Sequence, residues 1–164
     1  MLGPLAAPFL EAGLAVAAPE RPRLAGVDVR PIETFGDDYD ALWESARGSY
    51  AMCVRRDRAY LNWKYVACPH RAYERSEARR GSTLAGYAVS RHEDYQGTRL
   101  GWILDVFTAA GDAEAQDALI GGVLDGFRRA GVVRAQCFAM NASLAVVTDK
   151  GRWHVTFVDS DMDR

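Results

Sequence analysis

The segment from Leu100 to Phe107 is an almost unbroken apolar run of one strand's length, and it carries a single charged residue, Asp105. Such a run is typical of a strand that is covered on both faces in the middle of a sheet. Between Asp112 and Ala130 the hydrophobic period becomes helical, and Gly131 supplies a C-terminal cap. Apolar alternation returns over Val132–Met140. This order of strand, helix and strand restricts the fold to a sheet flanked by helices.

The rest of the chain divides into short strands and helices whose boundaries are marked by Gly, Pro and Asp. The predicted elements are a strand at Val27–Ile32, helices at Tyr39–Arg47 and Arg56–Ala67, strands at Tyr73–Ala78 and Thr83–Ser90, a polar turn at His92–Gly97, a helix at Ala142–Asp149 and a strand at His154–Val158. The two strands before the polar turn predict an antiparallel hairpin. The fold class is therefore α/β (mixed α+β), with a central, mostly antiparallel mixed sheet between helices.

Aromatic residues recur along the second predicted helix. Tyr60, Trp63 and Val66 fall at helical spacing, and Pro69 marks the helix exit. This spacing predicts an aromatic stripe that faces the core.

Composition limits the classes of function. The 164 residues and 18.1 kDa correspond to one compact domain. Twenty Lys plus Arg against 22 Asp plus Glu leave a net charge of -2, which argues against nucleic acid as a partner. The three Cys and three His show no ligand spacing, so no metal site is predicted, and a reducing, cytoplasmic location is expected.

The first 25 residues predict a helix or linker, followed by one domain over residues 26–164. No Lys or Arg precedes Arg21, and Pro4 and Pro8 interrupt the apolar stretch, so neither a signal peptide nor a membrane span is predicted. Pro19 and Pro22 form a hinge of the kind found between two lobes. A second lobe or a second copy of the chain is therefore a candidate partner.

Two sequence segments carry a family resemblance. Asn141, Leu144, Thr148, Gly151 and Trp153 fall where GNAT-superfamily acetyltransferases often have N-xx-A-xxx-Y-xxx-G-F. The stretch from Arg56 to Tyr65, RDRAYLNWKY, resembles the R-D-x-x-Y-L-x-W-R-Y stretch of uncharacterised bacterial GNAT-like proteins, some of them two-lobed. Together with the element order, these segments make the chain resemble the C-terminal lobe of such proteins.

The resemblance implies a site between the fourth and fifth strands. In the family the fourth strand carries a bulge and splays from the fifth in a V shape, and acyl-CoA inserts between them. The resemblance accordingly implies acetyl-CoA as the donor, with cofactor contacts at Leu104, Val106, Phe107, Gly111, Gln116 and Asn141. It makes Asp105 the candidate general base and Thr148 the counterpart of the tyrosine that protonates the leaving thiolate.

The start of the helix after the buried strand departs from the family pattern. Glu114 and Gln116 stand where two phosphate-facing glycines belong, and Asp112 and Asp117 add negative charge. Such a helix start is better explained by capping and by compensation of the helix dipole than by diphosphate binding. Asp105 likewise has two readings, as a base of raised pKa or as a carboxylate held for structure.

Three hypotheses of function therefore stand. The first is an acyl-CoA-dependent N-acyltransferase that transfers an acetyl group to an amine of a small molecule or amino sugar. The second is a non-catalytic, degenerate GNAT lobe that serves as an accessory or dimerisation domain. The third is a small-ligand or polyanion binding module that uses Arg55, Arg56, Arg58 and the aromatic helix.

Overall fold

The computed structural model describes residues 26–49, 53–109 and 111–137. Its five strands form one sheet in the order β1-β2-β3-β4-β5, antiparallel except for the parallel pair β4 and β5. The elements are β1 (Asp28–Pro31), α1 (Asp38–Ala46), a 3-10 turn (Arg47–Ser49), α2 (Arg58–Tyr65), β2 (Glu74–Arg80), β3 (Thr83–Tyr95), β4 (Thr98–Thr108), α3 (Ala113–Arg129) and β5 (Arg134–Cys137). The predicted mixed sheet flanked by helices is thereby confirmed.

Several predictions fall outside the described residues. They are the N-terminal helix or linker, the last helix, the last strand and the site residues Asn141 and Thr148. The predicted splaying of β4 from β5 also stays a prediction, because the described pairing runs from Leu100 opposite Arg134 to Ile103 opposite Cys137, where β5 as described ends.

The long hairpin of β3 and β4 replaces the polar turn predicted over His92–Gly97. β3 continues through Tyr95, and the reversal is made by Gln96 and Gly97, both with positive φ. Asp94 lies opposite Arg99, whose guanidinium donates to both carboxylate oxygens at 2.8 and 2.9 Å. The exposed arms of this hairpin are rich in charged residues, as loops are. The sequence therefore predicts a turn where the two strands in fact continue.

The aromatic stripe of α2 is also predicted wrongly. Trp63 is 69% exposed and Val66 is 37% exposed, whereas Leu61 and Tyr65 are buried. The helix begins at Arg58 rather than Arg56, because the Asp57 side chain caps it and accepts a hydrogen bond from the Tyr60 amide at 2.8 Å. Leu61 and Tyr65, four residues apart, face the core, whereas Trp63 and Val66 face outward and Tyr60 is only partly buried against the core.

The sheet separates two apolar clusters. One lies under α3 and includes Ala88, Ile103, Leu119, Phe127 and Cys137. The other lies under α1 and α2 and includes Phe35, Leu42, Leu61, Tyr87 and Phe107. Every polar side chain between these clusters must consequently find a partner within the protein.

A buried carboxylate ties the edge of the sheet to α1. The Glu77 side chain is 3% exposed and accepts hydrogen bonds from Arg30 Nε at 2.7 Å, Arg79 Nε at 2.7 Å and the Tyr39 hydroxyl at 2.9 Å. Burial acts to raise the pKa of Glu77, but the bonds from Arg79, Arg30 and Tyr39 outweigh it, so the pKa is lowered.

This arrangement predicts acid sensitivity. A lowered folded-state pKa stabilises the protein above the unfolded glutamate pKa of about 4.3, and the stabilisation is lost as the pH falls through the folded-state pKa. Glu77→Gln is expected to lower the free energy of unfolding by about 2 kcal/mol at pH 7. The difference from wild type should shrink below about pH 4, measured by urea unfolding across pH. Glu44→Gln, at an exposed pair with Arg47, is the control; a pH-independent difference for Glu77→Gln would contradict the prediction.

Candidate active site

A bulge interrupts β4 where the resemblance places the reacting group. Ile103 lies opposite Ser90 and Asp105 lies opposite Val89, so Leu104 has no partner in β3. In a regular strand with Leu104 paired, Ile103 and Asp105 would share a face of the sheet, since side chains alternate along a strand. The bulge instead leaves Ile103 in the cluster under α3 and turns Asp105 toward α2.

Asp105 is 8% exposed and is surrounded by hydrogen-bond donors. Arg56 Nε lies 3.1 Å from Oδ1 and forms a salt bridge with it. The Tyr65 hydroxyl donates to Oδ2 at 3.2 Å, and the Tyr87 hydroxyl donates to the same oxygen at 3.1 Å. Both carboxylate oxygens are therefore engaged by donors from α2, from the segment before α2 and from β3.

Burial fixes the protonation of the groups around this carboxylate. Burial first, and then the charge of Asp105, raise the pKa of Tyr65 and of Tyr87, so both hydroxyls stay protonated donors at neutral pH. The same two causes raise the pKa of Cys137 to about 11. Asp105 is thus a charge-paired, hydrogen-bonded carboxylate, and a substrate proton would have to compete with these donors for it.

The Arg56 guanidinium is held on several sides. Its Nη1 donates to the Val54 carbonyl at 2.9 Å and lies 2.7 Å from Cys53 Sγ. Its Cζ lies 5.5 Å from the centroid of the Phe107 ring, in a cation–π contact. Phe107 is 3% exposed, so this predicted cofactor contact belongs to the core in the described structure.

Leu104 and Val106 lie beside Asp105 in β4 and are both half-buried. Val106 packs against the cluster under α3. The backbone groups of Leu104–Val106 continue β4 past Ile103, which lies opposite Cys137, the last described residue of β5. These are the backbone groups at which the resemblance implies the pantetheine arm.

The start of α3 is closed by the protein's own groups. Asp112 caps the helix and accepts a hydrogen bond from the Ala115 amide at 3.0 Å. Gly111 adopts a positive φ of 74°, and Gln116 is half-buried in the first turns. Amides that already have acceptors within the chain are those of Ala109, Asp112, Ala113, Ala115 and Gln116.

Arg80, from the end of β2, neutralises the carboxylates at this helix start. Its Nη2 lies 2.8 Å from Asp112 Oδ1 and 3.1 Å from Glu114 Oε2, and its Nη1 contacts the other Asp112 oxygen. The bond from Arg80 is the main cause of the lowered pKa of Asp112. With the amides of Ala113, Ala115 and Gln116 engaged and its anionic position taken by Asp112, this terminus does not fit a diphosphate.

The described residues contain neither a metal-binding cluster nor a membrane-spanning helix. Among the residues that the structure describes, no group of three His, Cys, Asp or Glu side chains could hold a metal ion. No helix in the described ranges has the length and apolar character needed to cross a bilayer.

Solved structures show which fold this sheet and its helices form. Ribosomal-protein-alanine N-acetyltransferase from Brucella melitensis biovar Abortus 2308 matches with a TM-score of 0.58 and 17% identity, over 84% of this chain and 99% of that chain. A GNAT family acetyltransferase from Staphylococcus aureus matches with a TM-score of 0.52 and 10% identity, over 72% and 90% of the two chains. The chain has the GNAT fold.

A third GNAT-fold match is an aminoglycoside acetyltransferase from an uncultured soil metagenomic sample. Its TM-score is 0.54 at 12% identity, over 82% of this chain and 95% of that chain. No protein-family model matches the sequence, and no curated protein matches it. At these identities the likeness is one of fold, and the chemistry depends on the residues of the site.

Proposed function

We propose that this chain transfers an acyl group from acetyl-CoA to an amine of a small molecule or an amino sugar. The observation that carries the proposal is the bulge at Leu104. The resemblance to GNAT acetyltransferases implies a bulge in this same strand. Bulges are common beside active sites, where they re-aim a side chain or end strand pairing. This bulge coincides with the first effect, since Asp105 faces α2 whereas Ile103, two residues earlier, faces the cluster under α3.

The roles of individual residues are part of the proposal. The backbone of Leu104 and Val106 would bind the pantetheine arm, and Asp105 would accept the amine proton through water. Thr148 would lie near the departing thiolate, as the counterpart of the family tyrosine. The start of α3 does not fit the diphosphate, so Gly111 and Gln116 are expected to contribute less to donor affinity than residues along β4.

Acetyl-CoA titration by calorimetry, followed by an acylation assay with a panel of amines, tests the proposal. The wild type is expected to bind acetyl-CoA and to acylate at least one amine. Asp105→Asn should lower kcat by about a hundredfold, the usual contribution of a general base. Asp94→Asn, at an exposed pair in the β3–β4 hairpin, should leave kcat unchanged. The absence of binding at millimolar acetyl-CoA would contradict the proposal.

A second candidate function is a non-catalytic GNAT lobe that pairs with a second copy or with another lobe. The observation that favours it is the closed start of α3, where the Asp112 carboxylate, paired with Arg80, takes the place of an external anion. A folded chain that binds no acetyl-CoA and sediments as a dimer in analytical ultracentrifugation would support this function. A monomer that turns over an amine would overturn it.

The proposed donor and the free Cys53, Cys68 and Cys137 favour a reducing compartment for either function. We therefore propose that the chain acts in the cytoplasm.

A further inference from the structure

The donors around Asp105 come from three parts of the fold that are distant in sequence. Arg56 precedes α2, Tyr65 ends it, and Tyr87 lies in β3, the strand next to β4. The sequence separations to Asp105 are 49, 40 and 18 residues. One carboxylate thus connects α2, β3 and β4.

The strand that carries Asp105 needs such connections. Because Leu104 is unpaired with β3, the ladder is disrupted immediately before Asp105. The hydrogen bonds that Asp105 accepts from Arg56, Tyr65 and Tyr87 hold β4 in place where the backbone pairing with β3 is interrupted. Those three bonds leave the carboxylate a single orientation, since each oxygen already has a directed donor.

The donors are themselves immobilised. Asn62 donates to the Phe35 carbonyl at 2.9 Å and accepts from the Phe35 amide at 3.1 Å, which clamps α2 to the chain before α1. The Tyr65 ring packs edge-on against Tyr73 with centroids 5.3 Å apart. Side chains held in this way on a packed helix can fix a catalytic group more closely than a loop can.

We propose that Arg56, Tyr65 and Tyr87 are positioning residues for acyl transfer, which hold Asp105 and the bulged part of β4 in one geometry. This inference rests on the proposed function. None of the three is required to touch the substrate. Their effect is exerted through Asp105, whose displacement by about 1 Å can cost a hundredfold in rate.

Matched variants of the full chain test the inference by steady-state kinetics. Tyr65→Phe and Arg56→Lys are expected to lower kcat at least about tenfold and to change the KM for acetyl-CoA less than twofold. The controls are Tyr60→Phe in the same helix and Arg58→Lys, whose guanidinium pairs at the surface with Asp37. Both controls should keep the wild-type kcat. An active wild type whose Tyr65→Phe and Arg56→Lys variants keep full kcat would overturn the inference.

A second measurement separates this inference from the proposed function. If the wild type neither binds acetyl-CoA nor acylates an amine, the proposed function fails, and amide hydrogen exchange decides whether Asp105 holds β4. Tyr65→Phe should then speed exchange at Asp105 and Val106 at least about tenfold relative to Tyr60→Phe, because local opening becomes easier. Equal exchange in the two variants would overturn the inference independently of activity.

Discussion

Replacing Asp105 with leucine is expected to lower the free energy of unfolding by about 3 kcal/mol, as is usual when one partner of a buried ion pair is removed. The substitution leaves the largely buried Arg56 guanidinium without its carboxylate. It also leaves the hydroxyls of Tyr65 and Tyr87 without the acceptor that they share. Urea unfolding followed by circular dichroism measures the change.

Two further variants make this test specific. Asp94→Leu removes a carboxylate from an exposed ion pair with Arg99 and should have little effect on stability. The double variant Arg56→Met, Asp105→Leu should be more stable than the sum of the single effects predicts, by at least about 1 kcal/mol, because no unpaired charge is left. Additive effects would show that the Arg56–Asp105 pair is not coupled.

Gly86→Ala is expected to lower the free energy of unfolding by about 3 kcal/mol, at the upper end of the usual cost of overpacking. A Cβ at this position of β3 would lie 2.6 Å from the Phe107 carbonyl oxygen and 2.7 Å from Thr108 Cγ2. The backbone oxygen belongs to the adjacent strand, so relief would require β3 and β4 to move apart.

Gly126→Ala is the matched control for this prediction. Gly126 lies within α3, and a Cβ there would approach only the tip of Arg129, at 3.9 Å. Since alanine is favoured over glycine inside a helix, this variant should gain about 0.5 to 1 kcal/mol. Thermal unfolding of both variants measures the effects, and a Gly86→Ala protein as stable as wild type would contradict the argument.

The part of the fold that is predictable from sequence is the part with a single clear period. The helix predicted over Asp112–Ala130 is observed at Ala113–Arg129, because its apolar residues lie on one face and Gly131 follows in the left-handed conformation. The apolar run around Asp105 likewise predicts a strand inside the sheet, and β4 lies between β3 and β5.

Prediction fails where a segment has apolar residues on two faces. In α2 the spacing of Tyr60 and Trp63 is as helical as that of Leu61 and Tyr65, so periodicity cannot choose the buried face. The choice is made by tertiary packing, because Asn62 clamps the helix to Phe35 and directs Leu61 and Tyr65 inward.

The partners of Asp105 were missed for a related reason. β4 is apolar on both faces, so no break in alternation reveals the bulge at Leu104 that decides which face Asp105 joins. One signal was present: a lone carboxylate in an apolar strand requires a cation, and Arg56 opens the stretch that carries the GNAT-like resemblance. Which cation it would be follows only from the tertiary structure.

The bulge at Leu104 also has an evolutionary consequence. Deleting this residue would leave Ile103 opposite Ser90 and Asp105 opposite Val89, so every side chain of β4 would keep its present face in a continuous ladder. The topology therefore does not require the extra residue, although it disrupts strand pairing. A lineage in which this lobe served only as a scaffold would be free to lose the insertion. Its retention or loss among descendants of a common ancestor would then record which of them still depend on an irregular strand.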